Sequence, residues 1–255
     1  MYIPQYVLIQ ARNPDDVAKQ EERTSFANQL GISIENIESF DIFSQDMDCG
    51  YLERFDAILV GGSGEYSVLD DTAIIHRFND FIGECSALNK PMFASCFGFQ
   101  ALVLALGGEI VKAPSRAEVR TFQLTTLQTA KETTVFSGLP EYFYAQLGHQ
   151  DQASKIPSST VNVASSALTE NQALYVKGYP VFATQFHPEL TSDDNRLRFQ
   201  RYMHVYGTLF GNEEAERILN SHKPSPEANH LLKVFHSFVL NFPASQELKD
   251  AGKVI

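Results

Sequence analysis

The chain has little basic charge, few cysteines and no long apolar run, and each shortage narrows what it can be. Lysine and arginine number 20 against 31 acidic residues, leaving a formal charge of −11 over 255 residues. A surface this acidic argues against an electrostatic footprint for nucleic acid or anionic lipid. No apolar run approaches the roughly 20 residues that a membrane helix needs. The opening MYIPQYVLIQ lacks the basic start and the length of a secretory signal. Only three cysteines occur, Cys49, Cys85 and Cys96. An odd count at irregular spacing supports neither a disulfide framework nor a zinc site, and a reducing cytoplasm is the compartment expected. Neither GxGxxG nor Gly-Lys-Ser/Thr is present, so no phosphate loop, ATP-binding loop or other cofactor is expected.

What is there reads as alternating strand and helix. Tyr6–Gln10, Ala57–Val60 and Pro91–Ser95 are short apolar runs of the kind buried on both faces of a sheet. Ile37–Phe40 is a plausible further strand. Helical spacing covers Asp15–Leu30 (stopped by Gly31), Thr72–Leu88 and Phe97–Leu106, and residues 46–54 read as a short helix or loop. This is the pattern of βαβ units around a parallel sheet. From Glu118 to Gln185 the pattern changes to strands joined by turns, over residues 120–127, 142–147, 161–167, 172–176 and 181–185. Lys177-Gly178-Tyr179-Pro180 makes a good hairpin turn. Helix returns at 192–207, 212–220 and 227–241. The expectation is an α/β domain with an open, mostly parallel sheet, flanking helices and a small antiparallel portion over residues 1–210. A helical extension over residues 211–255 follows. Its stripe of Leu231, Leu232, Phe235, Phe238 and Val239 packs on the parent domain or, alternatively, forms the subunit interface of a homodimer.

The stretch Pro91-Met92-Phe93-Ala94-Ser95-Cys96-Phe97-Gly98-Phe99-Gln100 places a thiol where strand gives way to helix. Free cysteine is often a core residue, so the stretch alone leaves two readings open. Ligands of open α/β sheets gather at the carboxyl ends of strands. Small neighbours permit the sharp turn of a nucleophile elbow. A following helix turns its positive end toward the sulfur and favours thiolate. Two further features favour the nucleophile. Gln185-Phe186-His187-Pro188-Glu189 also leaves a strand end, so His187 could deprotonate Cys96 while Glu189 holds the imidazole. Gly61-Gly62-Ser63-Gly64, at the end of the neighbouring strand, could aim a backbone N–H at a developing oxyanion, with the N–H of Phe97 as second donor.

These three elements, GGSGEYSV, SCFGFQALVLALGG and QFHPE, resemble those of the class I (triad) glutamine amidotransferases, in the family's order and across residues 5–207. The resemblance implies a flavodoxin-like fold and a site that forms a γ-glutamyl thioester on Cys96 and releases ammonia. Cys96, His187 and Glu189 would be the catalytic triad, with Gly62 and Phe97 as oxyanion-hole donors. Gln100 resembles the family's substrate-contacting glutamine. Gly148-His149-Gln150-Asp151 resembles the substrate-holding loop of stand-alone GMP-synthetase-like members, with His149 fixing the loop rather than acting as a second base. The sequence departs from the family at Glu118-Val119-Arg120, where Glu-x-Gly is common. There Arg120 is either an exposed strand residue or one that reshapes the pocket mouth.

Three functions follow from this reading. The first is a glutaminase that passes ammonia to a synthase on another polypeptide. The second is a γ-glutamyl peptidase or hydrolase using the same residues on small γ-glutamyl compounds. The third is a non-catalytic regulatory subunit on a retained fold.

Overall fold

The computed structural model describes residues 2–243. Its first half alternates strand and helix as the pattern predicts: β1 (Tyr6–Gln10), α1 (Ala18–Leu30), β2 (Ile37–Asp41), β3 (Ala57–Val60), α2 (Ala73–Ser86), β4 (Met92–Ser95) and α3 (Phe97–Ala105). β1, β3 and β4 are buried at every position, which is why they read as unbroken apolar runs rather than alternating ones. Side chains and glycine set the helix ends. The Thr72 hydroxyl accepts the Ile75 N–H at the start of α2, and Gly31 closes α1 in the left-handed region at φ 74°.

The second half contains β5 (Glu109–Lys112), β6 (Glu118–Thr126), β7 (Tyr142–His149), β8 (Asp151–Lys155), β9 (Thr160–Ser165), β10 (Ala173–Val176) and β11 (Val181–Thr184). A nine-stranded sheet runs in the order β2-β1-β3-β4-β11-β10-β9-β6-β7. From β2 to β11 the neighbours are parallel. From β11 to β7 they are antiparallel. The expected antiparallel portion therefore extends the parallel sheet edge to edge. Strands β5 and β8, absent from the sequence reading, form a separate two-stranded ribbon. Asp151-Gln152-Ala153-Ser154-Lys155 has no apolar alternation to mark it, because only part of each strand is covered.

Alternate side chains of β1 enter opposite core layers. Val7 and Ile9 pack with α2 and α3, through Phe78, Phe81 and Phe99. Tyr6 and Leu8 pack with α1 and with α7 (Pro226–Asn241), through Phe26, Leu231 and Phe235. The helix expected over 192–207 is broken at Tyr202 into α4 (Ser192–Arg201) and α5 (Met203–Phe210). Thr191 and Asp194 cap α4 reciprocally. Helix α6 (Asn212–Leu219) packs its Ala215 and Ile218 against Phe199 of α4 and Val119 of β6.

Within the region 211–243, α7 sets its Phe235 edge-on to Phe93, with ring centroids 5.4 Å apart. Asn229 donates to both Pro188 O and Leu190 O at 2.8 Å, tying the helix to the segment that carries His187 and Glu189. Residues 244–255, the end of the expected extension, lie outside the described residues. Among the described residues no helix is long and apolar enough to cross a membrane.

Candidate active site

Strand register brings the nucleophile candidate and its base together. β4 and β11 are parallel neighbours with Ser95 opposite Thr184, so Cys96 and Gln185 leave the sheet side by side. The Cys96 N–H extends the ladder by donating to Thr184 O at 2.8 Å. Cys96 itself has φ 51° and ψ −101°, a conformation that costs a non-glycine residue about 1–3 kcal/mol. Its thiol sits at the start of α3, nearly buried. His187, two residues past Gln185, places Nδ1 2.6 Å from Glu189 Oε1. The Cys96 thiol is the imidazole's other partner. Burial alone would strip the His187 proton. The Glu189 carboxylate and Cys96 outweigh burial and raise the pKa to about 10. Gln185 adds a third group to the cluster. Its Nε2 lies 3.9 Å from Cys96 Sγ, and its Oε1 accepts from Gln100 Nε2 at 3.2 Å. An imidazole positioned between a thiol and a fixed carboxylate can hold a proton and return it to a leaving group.

The glycine turn is built around a residue that the sequence reading missed. Glu22 of α1 is fully buried and accepts from Arg12 Nε (3.1 Å), Arg12 Nη2 (3.0 Å) and Gln10 Nε2 (2.9 Å). Its Oε1 also accepts the Gly62 N–H at 3.0 Å. The N–H expected at the oxyanion is thus held by a carboxylate in this structure. Both glycines are required here. A Cβ at position 61 would lie 2.6 Å from Glu22 Oε2, and one at position 62 would lie 2.9 Å from His187 Cε1. The Phe97 N–H opens α3 directly after Cys96, where a helix leaves its first donors without intrahelical partners.

A cavity of about 360 Å³ lies over Cys96, Phe97 and Gln100, at the small end of ligand pockets. Gln150 and Asp151 line one wall. Lys112 of β5 pairs in register with Asp151 of β8, so the small ribbon is that wall. Gln100 turns its amide to Asp151 O at 2.9 Å as well as to Gln185. His149 lines the cavity but is tied down on both sides. Its Nδ1 donates to Asp151 O at 2.9 Å, and its Nε2 lies 3.3 Å from Glu118 Oε2. Burial would raise the Glu118 pKa, but the bond to His149 holds it below the usual carboxylate range. Arg120 takes the surface alternative, stacking its guanidinium over Phe122 at 5.1 Å, while Val119 lines the cavity.

Residues 26–204 match the family Glutamine amidotransferase class-I. The chain belongs to the class-I glutamine amidotransferases. Among relatives of this amidotransferase is a glutamine-hydrolyzing GMP synthase subunit of Sulfolobus acidocaldarius. It is 33% identical over 155 residues, 60% of this chain and 78% of that one. The corresponding subunit of Thermoplasma volcanium is 29% identical over 193 residues, 76% of this chain and 87% of that one. A solved glutamine amidotransferase from Thermotoga maritima superposes with a TM-score of 0.71 at 15% identity, over 94% of this chain and all of that one, and so shares the fold.

Several residues of the amidotransferase site were not found by sequence reasoning. Glu22 was detectable in principle, since Ala18, Glu22 and Phe26 share one buried helix face and a charge there demands a partner. Tyr202 and Tyr206 line the cavity from the α4–α5 break, which the spacing did not show. Burial, and then the charge of Cys96, pushes the Tyr206 phenol up to about 12. Away from the site, Cys49, for which the sequence offers no partner motif, donates its thiol to Glu84 Oε2 at 3.6 Å, and Cys85 is buried.

Proposed function

We propose that this amidotransferase hydrolyses the γ-amide of glutamine through Cys96, His187 and Glu189. The observation that carries the reading is the strained Cys96 elbow beside a buried His187–Glu189 pair 2.6 Å apart. Cys96 Sγ attacks the γ-carbonyl carbon, and the C–N bond breaks as His187 delivers its proton to the departing ammonia. Water, deprotonated by His187, then hydrolyses the thioester to glutamate and restores the thiol. Glu189 keeps the Nδ1 proton in place and stabilises the imidazolium. The Phe97 N–H supports the oxyanion. The Gly62 N–H joins it only by exchanging Glu22 for the oxyanion. Gln100, Gln150 and Asp151 line the glutamyl side, and His149 fixes their loop.

The similarity to glutamine-hydrolyzing GMP synthase subunits supports delivery of ammonia to a separate synthase polypeptide. We take residues 1–210 as the glutaminase domain and 211–255 as a helical extension, supported by the Asn229 and Phe235 contacts of α7. The test is a steady-state glutaminase assay of the wild type and Cys96→Ala, with mass spectrometry of acid-quenched enzyme. Turnover that falls to background in the variant, with a γ-glutamyl adduct on Cys96 in the wild type, is expected. Equal rates in both proteins refute the reading.

A further inference from the structure

Two cavities meet at the Cys96–His187 pair. The larger, about 360 Å³, is lined by Cys96 but not by His187. The smaller, about 60 Å³, is lined by His187 but not by Cys96. They share Ser63, Gly64, Val119, Gly148, Tyr202 and Tyr206, so they are adjoining compartments. In acyl transfer from an amide, the acyl carbon bonds to the nucleophile and the leaving nitrogen must come within reach of the general acid. The acyl portion therefore belongs to the Cys96 side and the leaving group to the His187 side.

The smaller compartment is not built for ammonia alone. Arg12 and Arg198 both line it. The Arg12 guanidinium is committed to Asp16 and Glu22. Arg201, on the same helix as Arg198, is committed to Glu21. Arg198 Nη2 is buried and has no hydrogen-bond partner among the described residues. Glu21 and Glu22 act on Arg198 through space, yet no hydrogen bond or ion pair joins either to it among the described residues. Glu189, the remaining acid beside His187, is bonded to the imidazole. A buried guanidinium nitrogen left unpaired is costly, and the partner whose geometry it fits is a carboxylate. The volume is about that of two waters at ~30 Å³ each, which suits a carboxylate and its α-carbon but nothing much larger.

We propose that this compartment is a leaving-group subsite in which Arg198 binds the carboxylate of a small amino acid, making γ-glutamyl dipeptides of the γ-glutamylglycine type substrates. The inference rests on the Cys96–His187 reading above. Cys96 Sγ bonds to the γ-carbonyl carbon, the peptide C–N bond breaks, and the His187 proton goes to the departing nitrogen, releasing glycine. Water then converts the thioester to glutamate and thiol. No oxidant or further co-reactant is involved.

The experiment compares kcat/KM for γ-glutamylglycine, γ-glutamylmethylamide, which lacks the carboxylate, and glutamine. The wild type is expected to prefer γ-glutamylglycine over the methylamide by tenfold or more, the scale of one charge-assisted hydrogen bond. In Arg198→Met that ratio falls to near one, mainly through KM, and Arg198→Lys recovers part of it. A wild-type ratio within twofold, or a ratio unchanged in Arg198→Met, overturns the subsite. The wild-type ratio needs no variant, so misfolding of Arg198→Met cannot shelter the proposal. Glutamine turnover without γ-glutamylglycine turnover overturns the subsite but leaves the glutaminase reading standing. Absence of any Cys96-dependent turnover overturns both.

Discussion

Replacing Glu22 by glutamine preserves shape and removes charge, so it isolates what the buried carboxylate does. Two of its four donors belong to Arg12, with the others from Gln10 and the Gly62 backbone. An amide offers one acceptor oxygen, and its NH2 would face donors across the other half of the cluster. The Arg12 guanidinium, 4% exposed, would keep only Asp16. Removing one partner of a buried ion pair costs about 3–5 kcal/mol, a large share of the 5–15 kcal/mol that typically separates folded from unfolded chains. At ~2–4 °C per kcal/mol for a chain of this size, Glu22→Gln should melt roughly 6–20 °C below the wild type. The pH dependence has a defined sign. Burial would raise the Glu22 pKa, but Arg12 and Gln10 overcome it and hold the carboxyl below its ordinary value of 4.5. Its stabilisation is therefore fully present above about 4.5 and lost as pH falls through the depressed folded-state value. Thermal unfolding followed by circular dichroism from pH 7 down to about pH 3 should show the gap between wild type and variant narrowing at the acid end, below about 4.5. A variant melting within about 2 °C of the wild type at pH 7, or a gap that widens in acid, would refute this account of the cluster.

Glu189→Gln should lower kcat by roughly 10²–10⁴-fold, because an amide neither stabilises the imidazolium nor fixes its tautomer. With the carboxylate gone, the His187 pKa falls from about 10, and the alkaline limb of the kcat/KM profile should move to lower pH; an unmoved limb would show that Glu189 does not set the His187 proton. Phe235→Ala removes a fully buried ring from between α7 and the sheet and should cost about 3–5 kcal/mol, read as a lower urea midpoint at unchanged slope. A loss under about 1 kcal/mol would show that α7 contributes little to the core.

The parallel half of the fold was legible because burial on both faces leaves the same mark in every strand, a short apolar run bounded by punctuation. Cys96, His187 and Glu189 were legible for a related reason. Each follows such a run, so locating β4 and β11 located the residues beyond them. The register of Ser95 on Thr184, which places them side by side, is a tertiary fact that motif order only suggests. The ribbon of β5 and β8 was not legible, since its partly exposed strands carry no period-two pattern. The break at Tyr202 was missed because the helical spacing of residues 192–207 continues through it.

Glu22 and Glu118 are charged groups whose burial is decided by partners far along the chain, which sequence reasoning did not supply. Glu118 meets His149 across β6 and β7, and Glu22 meets Gly62 across the end of β3. Such contacts have no local period, so they cannot be counted off a sequence. A charge on a buried face nevertheless demands hydrogen bonds, and the geometry identifies what supplies them. For Glu22 the answer is Arg12, Gln10 and the glycine turn. For Glu118 it is Gln172, donating at 2.6 Å, with His149 Nε2 3.3 Å away. Arg198 differs from both, because its buried, unpaired nitrogen belongs to a side chain that lines a cavity. On the proposed reading, its location beside His187 makes the missing partner a matter of substrate rather than of folding.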